Sequence, residues 1–173
     1  MKLQNKIFEL NNFASEMAKL KSEKHFDFLV TIVGEDFGEE GLGCIYILEN
    51  TKTNERISVK AVDSNRENAF IPTVSNLWKG AEILEREVYD FFGIKFLGNK
   101  DMRRLYLRSD FNGYPFRKDY DLSPENNTYT LEDDVEPDYT IEYTMDEEGH
   151  IQQTEHKLFT DDDYVINIGP QHP

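Results

Sequence analysis

Three runs rich in β-branched and aromatic residues, Phe26–Val33, Cys44–Leu48 and Arg56–Val62, follow one another at short intervals and constrain this chain more than any other feature. The connection over Gly34–Gly43 carries Gly38, Gly41 and Gly43 among acidic residues, and Asn50–Glu55 is a compact polar stretch. Both suit hairpin turns, so the spacing predicts an antiparallel meander. The glycines do not make a dinucleotide fingerprint, because the G-x-G-x-x-G spacing is absent and a strand follows them.

A sheet with apolar residues to bury needs cover. Residues 4–24 place Ile7, Phe8, Leu10, Ala14, Met17, Ala18 and Leu20 at roughly helical spacing, which predicts an amphipathic helix. Phe70–Val74 reads as a short extended piece, since Pro72 lacks a donor and biases Ile71 away from helix. Ser75 and Asn76 can then cap a second helix from about Leu77, with Leu77, Ala81, Leu84, Val88 and Phe91 forming its stripe. Gly93 can end that helix in the left-handed conformation, and Ile94–Phe96 follows as a strand. The predicted fold class is α/β of the α+β type: the two helices pack on a mainly antiparallel or mixed sheet, with an extended acidic C-terminal tail.

Charge divides the chain. Residues 1–120 hold 18 Lys+Arg against 19 Asp+Glu, while residues 121–173 hold 1 Lys against 15 Asp+Glu. A balanced core with an acidic tail repels phosphate backbones, which excludes nucleic acid as a partner. In the tail, the alternation Tyr139, Ile141, Tyr143, Met145 predicts a strand, and Glu147–Gly149 a turn before Ile151–Phe159. That pair of segments can form a hairpin or lie along another protein. The only cysteine, Cys44, excludes an internal disulfide and any iron–sulfur cluster or Cys-based zinc site supplied by this chain alone, and fits a reducing compartment. The N-terminal residues lack a continuous apolar stretch, so neither a secretory signal nor a membrane span is expected there, and the chain is expected to be soluble and cytoplasmic.

The chemistry-bearing residues gather on the second predicted helix and after it. Glu85 and Glu87 fall at the two edges of its apolar stripe, and Arg86 falls opposite, four residues from both Glu82 and Asp90. A carboxylate at a half-buried seam is costly without a partner. Arg103, Arg104, Arg108, Arg117 and Lys118 lie close behind, so Glu85 or Glu87 is expected to pair with one of them. An acid/base role for the two glutamates is opposed by geometry, since their side chains diverge by about 160° around the helix.

The blocks Glu85-Arg86-Glu87-Val-Tyr-Asp90-Phe-Phe-Gly93, Asp101-Met-Arg103-Arg104 and Pro115-Phe-Arg117-Lys118-Asp119, in that order, resemble the C-type (30-kilodalton) subunit family of respiratory NADH:quinone oxidoreductase. One position departs: the family usually has His or Lys directly after the glycine where this chain has Gly98-Asn99-Lys100. Tyr164–Pro173, ending Gly169-Pro170-Gln171-His172-Pro173, resembles the opening of the D-type (49-kilodalton) subunit of the same enzyme.

These resemblances imply a non-catalytic scaffold of the peripheral arm, fused to a D-type domain. The implied layout is a C-type domain over 1–120, an acidic joining segment over 121–163, and the truncated start of a D-type domain over 164–173. Glu85, Glu87, Asp90, Arg103, Arg104, Arg117 and Lys118 are expected to serve in structural ion pairs or partner binding. His172 is expected beside the quinone pocket only in the full-length protein, and the chain itself is expected to hold no metal and no cofactor. The parent complex is implied to use NADH, FMN, iron–sulfur clusters and quinone, and to couple electron transfer to proton translocation. Implied partners are the D-type quinone-site subunit, the terminal iron–sulfur cluster subunit and a ferredoxin-like iron–sulfur subunit, with attachment to the cytoplasmic face of the plasma membrane only through the complex. The alternatives are the equivalent subunit of a membrane-bound hydrogenase, a carboxylate-based hydrolase, and a free-standing acidic adaptor.

Overall fold

A computed structural model describes residues 4–121, 123 and 139–158. The elements in order are β1 (Gln4–Ile7), α1 (Leu10–Ser22), β2 (Phe28–Asp36), β3 (Leu42–Asn50), β4 (Glu55–Asp63), β5 (Phe70–Pro72), α2 (Ala81–Phe92), β6 (Lys95–Leu97), β7 (Tyr139–Met145) and β8 (Ile151–Lys157). They make two four-stranded sheets, ordered β1-β4-β3-β2 and β5-β6-β7-β8. Both are mixed, since β1 runs parallel to β4 and β5–β6–β7 are parallel, while the hairpins β2–β3, β3–β4 and β7–β8 are antiparallel. The α+β class expected from the sequence is the class observed.

The register puts one face of the first sheet in the core. Leu29 and Leu48, Ile32 and Tyr46, and Gly34 and Cys44 come opposite one another, with Ile57, Val59 and Ala61 of β4 beyond them. A bulge between Leu29 and Thr31 resets the two-residue alternation so that Ile32 points inward with Leu29. Both helices cover this face. From α1, Phe13, Met17 and Leu20 are buried, and the Phe13 ring lies 5.2 Å from that of Tyr46. From α2, Val88 and Phe92 close on Gly34, where a β-carbon would come within 2.6 Å of the Phe92 ring. Glycine is there because the helix approaches the strand too closely for anything larger.

Three expectations are corrected. The helix expected over 4–24 is shorter, because Gln4–Ile7 pairs with the open edge of β4 and the Phe8 amide continues the ladder to the Lys60 carbonyl at 3.0 Å. Four residues are too few for helical periodicity to outweigh a free strand edge. The loop expected from Gly34 begins only after Asp36, since the β2–β3 ladder runs through Gly34 and Glu35. The second helix starts at Ala81 rather than Leu77: Val74 accepts from the amides of Leu77 and Trp78 in a separate turn, and Gly80 occupies the capping position. Ser75 and Asn76 therefore do not cap it.

Gly93 terminates α2 as expected, at φ 72°, with its amide donating to the Tyr89 carbonyl. Gly93→Ala is expected to cost about 1–2 kcal/mol from the left-handed backbone alone, and its methyl also meets the Tyr114 ring at 2.5 Å. Urea denaturation checks this; an unchanged midpoint would show that neither the backbone nor Tyr114 resists.

The segment 139–157 forms the hairpin. β7 adds to β6, Tyr143 is buried, and the Met102 amide donates to the Ile141 carbonyl at 2.7 Å. Phe159, Tyr164–Pro173 with His172, and the acidic stretch from Pro124 to Asp138 lie outside the described residues. No helix among the described residues is long and apolar enough to cross a membrane.

Candidate functional site

The segment after β6 folds back over the outer side of α2 and holds it through charged groups. Asp90 is fully buried. Its Oδ2 accepts from the successive backbone amides of Leu105, Tyr106 and Leu107 at 3.1, 2.7 and 2.9 Å, and its Oδ1 takes an ion pair from Arg104 at 3.1 Å. Three amides converging on one oxygen form an anion-binding nest, which replaces the water the carboxylate gives up. Arg104 uses both Nη atoms in turn, donating also to the carbonyls of Asp90, Phe111 and Gly113 and lying 5.1 Å from the Tyr114 ring.

Arg86 bonds neither Glu82 nor Asp90, although their four-residue spacing favours such pairs along a helix. It donates to the carbonyls of Arg103 and Arg104 at 3.0 and 2.9 Å and pairs with Asp101 at 3.1 Å. Arg103 holds the same Asp101 carboxylate through Nε and Nη2 at 2.9 and 2.8 Å. Burial pushes the Asp101 carboxyl up, and the guanidinium and backbone amide of Arg103, with the charge of Arg86, more than offset it, leaving the group below the ordinary range. Arg117 donates to the Phe92 carbonyl at 2.6 Å and stacks over Tyr114, placing a cation at the C-terminal end of α2 where unpaired carbonyls concentrate.

Glu85 departs from expectation most. It is fully buried, and no arginine reaches it. Its Oε2 accepts from the Thr73 hydroxyl at 2.6 Å and the Asn99 amide at 2.7 Å, and its Oε1 accepts from the Val74 amide at 2.8 Å. Burial pushes its carboxyl up to about 7, against the pull of those three donors. Asn99, where the resemblance departs, is thus a direct partner of the motif's first glutamate. Glu87 is half-buried and has no ion pair or side-chain hydrogen bond among the described residues. The expected arginine pairing of Glu85 or Glu87 is therefore not made; Asp90 takes it.

A second clip was not foreseen. Asp36, at the end of β2, accepts from both Nη atoms of Arg66 at 2.6 and 2.8 Å and from the Gly38 and Lys118 amides. The Arg66 guanidinium, followed by the amides of Lys118 and Gly38, holds the Asp36 carboxyl far below the ordinary range although burial opposes them. Arg66 also reaches Asp119 at 3.1 Å, so the Arg117-Lys118-Asp119 block is fastened to both α2 and the first sheet. The Lys118 contribution is its backbone amide, which no reading of side-chain type could supply.

A cleft of about 510 Å³ beside this network is lined by Arg86, Arg103, Arg104, Tyr89, Met102 and Ile141 among others. Among the described residues no carboxylate lines it, and Glu85 and Asp90 have no exposed surface. A hydrolase built on those carboxylates has no access to substrate. The thiol of Cys44 is sealed in the core, its pKa raised by that burial, and among the described residues no three His, Cys, Asp or Glu side chains gather where a metal could sit.

Residues 8–126 match the family model of the respiratory-chain NADH dehydrogenase 30 Kd subunit. The chain is 51% identical over 158 residues to the C/D protein of the NADH-quinone oxidoreductase of Phocaeicola vulgatus, an alignment covering 91% of this chain and 30% of that protein. It is 34% identical over 183 residues to the C/D 2 protein of the NADH-quinone oxidoreductase of Aquifex aeolicus, covering 97% of this chain and 31% of that one. The chain thus spans under a third of the length of these relatives. Among solved structures, a chain of the archaeal membrane-bound sulfane sulfur reductase, a respiratory membrane complex, is similar with a TM-score of 0.64 and 27% identity, over 80% of this chain and 84% of that one.

Proposed function

The chain belongs to the 30-kilodalton subunit family of the respiratory-chain NADH dehydrogenase, and on that premise we propose that it is the C-type region of a fused C/D protein of NADH:quinone oxidoreductase, acting as a scaffold. Electron transfer from NADH to quinone, through FMN and iron–sulfur clusters, is then the work of the whole complex. The region from residue 1 to about 120 is the C-type domain, residues 121–163 join it to the D-type domain, and residues from 164 begin that domain. The terminal and ferredoxin-like iron–sulfur subunits are its neighbours, and it meets the membrane on the cytoplasmic side through them.

One observation carries the scaffold reading: the family's charged motif, Glu87 apart, is consumed internally. Asp90, Arg86, Arg103, Arg104 and Arg117 tie backbone to backbone around α2, and among the described residues each guanidinium lining the cleft is already held by a partner of this fold. The fused reading is supported by the alignment to the Phocaeicola vulgatus C/D protein, which at 91% of this chain necessarily runs past residue 126, where the family model stops.

Purifying the tagged full-length protein from its native membranes, with mass spectrometry of what accompanies it and an assay of inhibitor-sensitive NADH:quinone activity, tests this. Recovery of flavin, iron–sulfur and membrane subunits with that activity is the expected result. Recovery of hydrogenase- or sulfur-reductase-type subunits instead would favour the equivalent place in such a complex, a reading the likeness to the sulfane sulfur reductase chain recommends. A protein that purifies alone would end both.

A further inference from the structure

Of the charged residues in the Glu85-Arg86-Glu87-Val-Tyr-Asp90 block, three are absorbed by the fold and Glu87 is not. Ile83, Glu87 and Phe91 succeed each other at four-residue steps and share one side of α2. That side points away from the face that packs Val88 and Phe92 on the sheet, and it spans about 12 Å along the axis from Ile83 to Phe91. At its C-terminal end Phe91 stacks with two aromatic rings, Phe116 at 4.4 Å and Tyr106 at 5.8 Å. The stack is open to solvent: Tyr106 is 66% exposed, Phe116 58% and Ile83 55%. The result is an apolar surface with one half-buried carboxylate in its middle that has no partner among the described residues.

We propose that the surface formed by Ile83, Glu87, Tyr106 and Phe116 is the docking face for the D-type portion of the same polypeptide, which sets an arginine or lysine against Glu87 within a ring of apolar side chains. This rests on the reading that the protein continues into a D-type portion. Charge complementarity selects the chemistry of the occupant. A carboxylate already partly desolvated by its own neighbours repels an anionic membrane or nucleic acid and attracts a cation that brings its own apolar surround. A symmetric second copy sets the face against itself. The nearby guanidiniums of Arg86, Arg104 and Arg117 are engaged by backbone carbonyls and cannot answer a second Glu87. The tethered portion has the advantage over any free partner, because the curated C/D relatives are more than three times the length this chain spans and a linked surface meets its partner at high effective concentration. Exposed aromatics around a central charge are also the composition of an interface centre.

The test uses the full-length protein in its native complex. With Tyr106 replaced by the photo-reactive benzoylphenylalanine, irradiation is expected to yield cross-links to peptides of the same polypeptide beyond residue 173. Cross-links to another subunit or a second copy, or none, overturn the proposal. Glu87→Arg is expected to lower the yield of intact complex at least tenfold, and the isosteric Glu87→Gln by several-fold. Yields equal to the unmutated protein in both variants also overturn it. The two readings fail separately. A protein that brings no oxidoreductase subunits but cross-links within its own chain loses only the assignment of the complex, and one that assembles without that cross-link loses only this docking face.

Discussion

Asp90→Ala is expected to destabilise the domain by about 3–5 kcal/mol, the range for removing one member of a buried, hydrogen-bonded charge pair. The carboxylate is fully buried, and its loss strands the amides of Leu105, Tyr106 and Leu107 and one bond of Arg104 at once. A stranded buried donor costs more than the hydrogen bond it made. Asp90→Asn keeps the volume and can turn its one acceptor to the amide nest, but it then sets an NH2 donor against Arg104, so its effect falls between those of the unmutated protein and Asp90→Ala. The contrast is Glu87→Ala, three residues earlier on the same helix, which leaves no described partner unpaired and is expected to change stability by under about 0.5 kcal/mol. Denaturant unfolding of the purified chain measures both. Equal effects would mean that the segment over α2 is held by its apolar contacts and not by the nest.

Stability is expected to fall by about 3 kcal/mol as pH rises from 4.5 to 7, and to level off above that, because of Glu85. The sign follows from which state keeps the proton. Burial raises the folded carboxyl from an ordinary 4.5 to about 7, so between those values the folded chain holds a proton that the unfolded chain has released. Raising pH through the window therefore favours unfolding. Asp36 does not mask the trend, since its depressed carboxyl contributes stability above about 3.8 that is lost only at lower pH. Glu85→Gln removes the titrating group and should flatten the curve. It also costs stability at low pH, because an amide nitrogen turned toward the Asn99 amide gives two donors and no acceptor. Denaturation midpoints at several pH values, for both proteins, decide it; a slope that survives in the glutamine variant belongs to another group.

The sequence by itself determined the kinds of element and the family. The three strands were legible because they are long and rich in β-branched residues, and α2 because its stripe and its terminal Gly93 agree. The motif blocks were legible because three of them occur in a fixed order. Helix boundaries were less so: Gln4–Ile7 became a strand because the edge of β4 was open, and Leu77 fell outside α2 because Val74 closes a turn of its own.

What only the tertiary structure decided is which carboxylate meets which partner. A helical wheel places Glu85 and Glu87 alike at the margins of an apolar stripe and puts Asp90 near Arg86 on the far side. The segment over 101–117 then covers Asp90, buries it and supplies its amides, while the turn at Thr73–Val74 and the Asn99 side chain enclose Glu85. Those partners are mostly backbone amides and carbonyls, which every residue type carries, so residue identities could not announce them. The separation of Asp36 from Lys118 by 82 positions makes the same point: sequence records which groups exist, and the packing of one segment over another decides which are desolvated and must be satisfied.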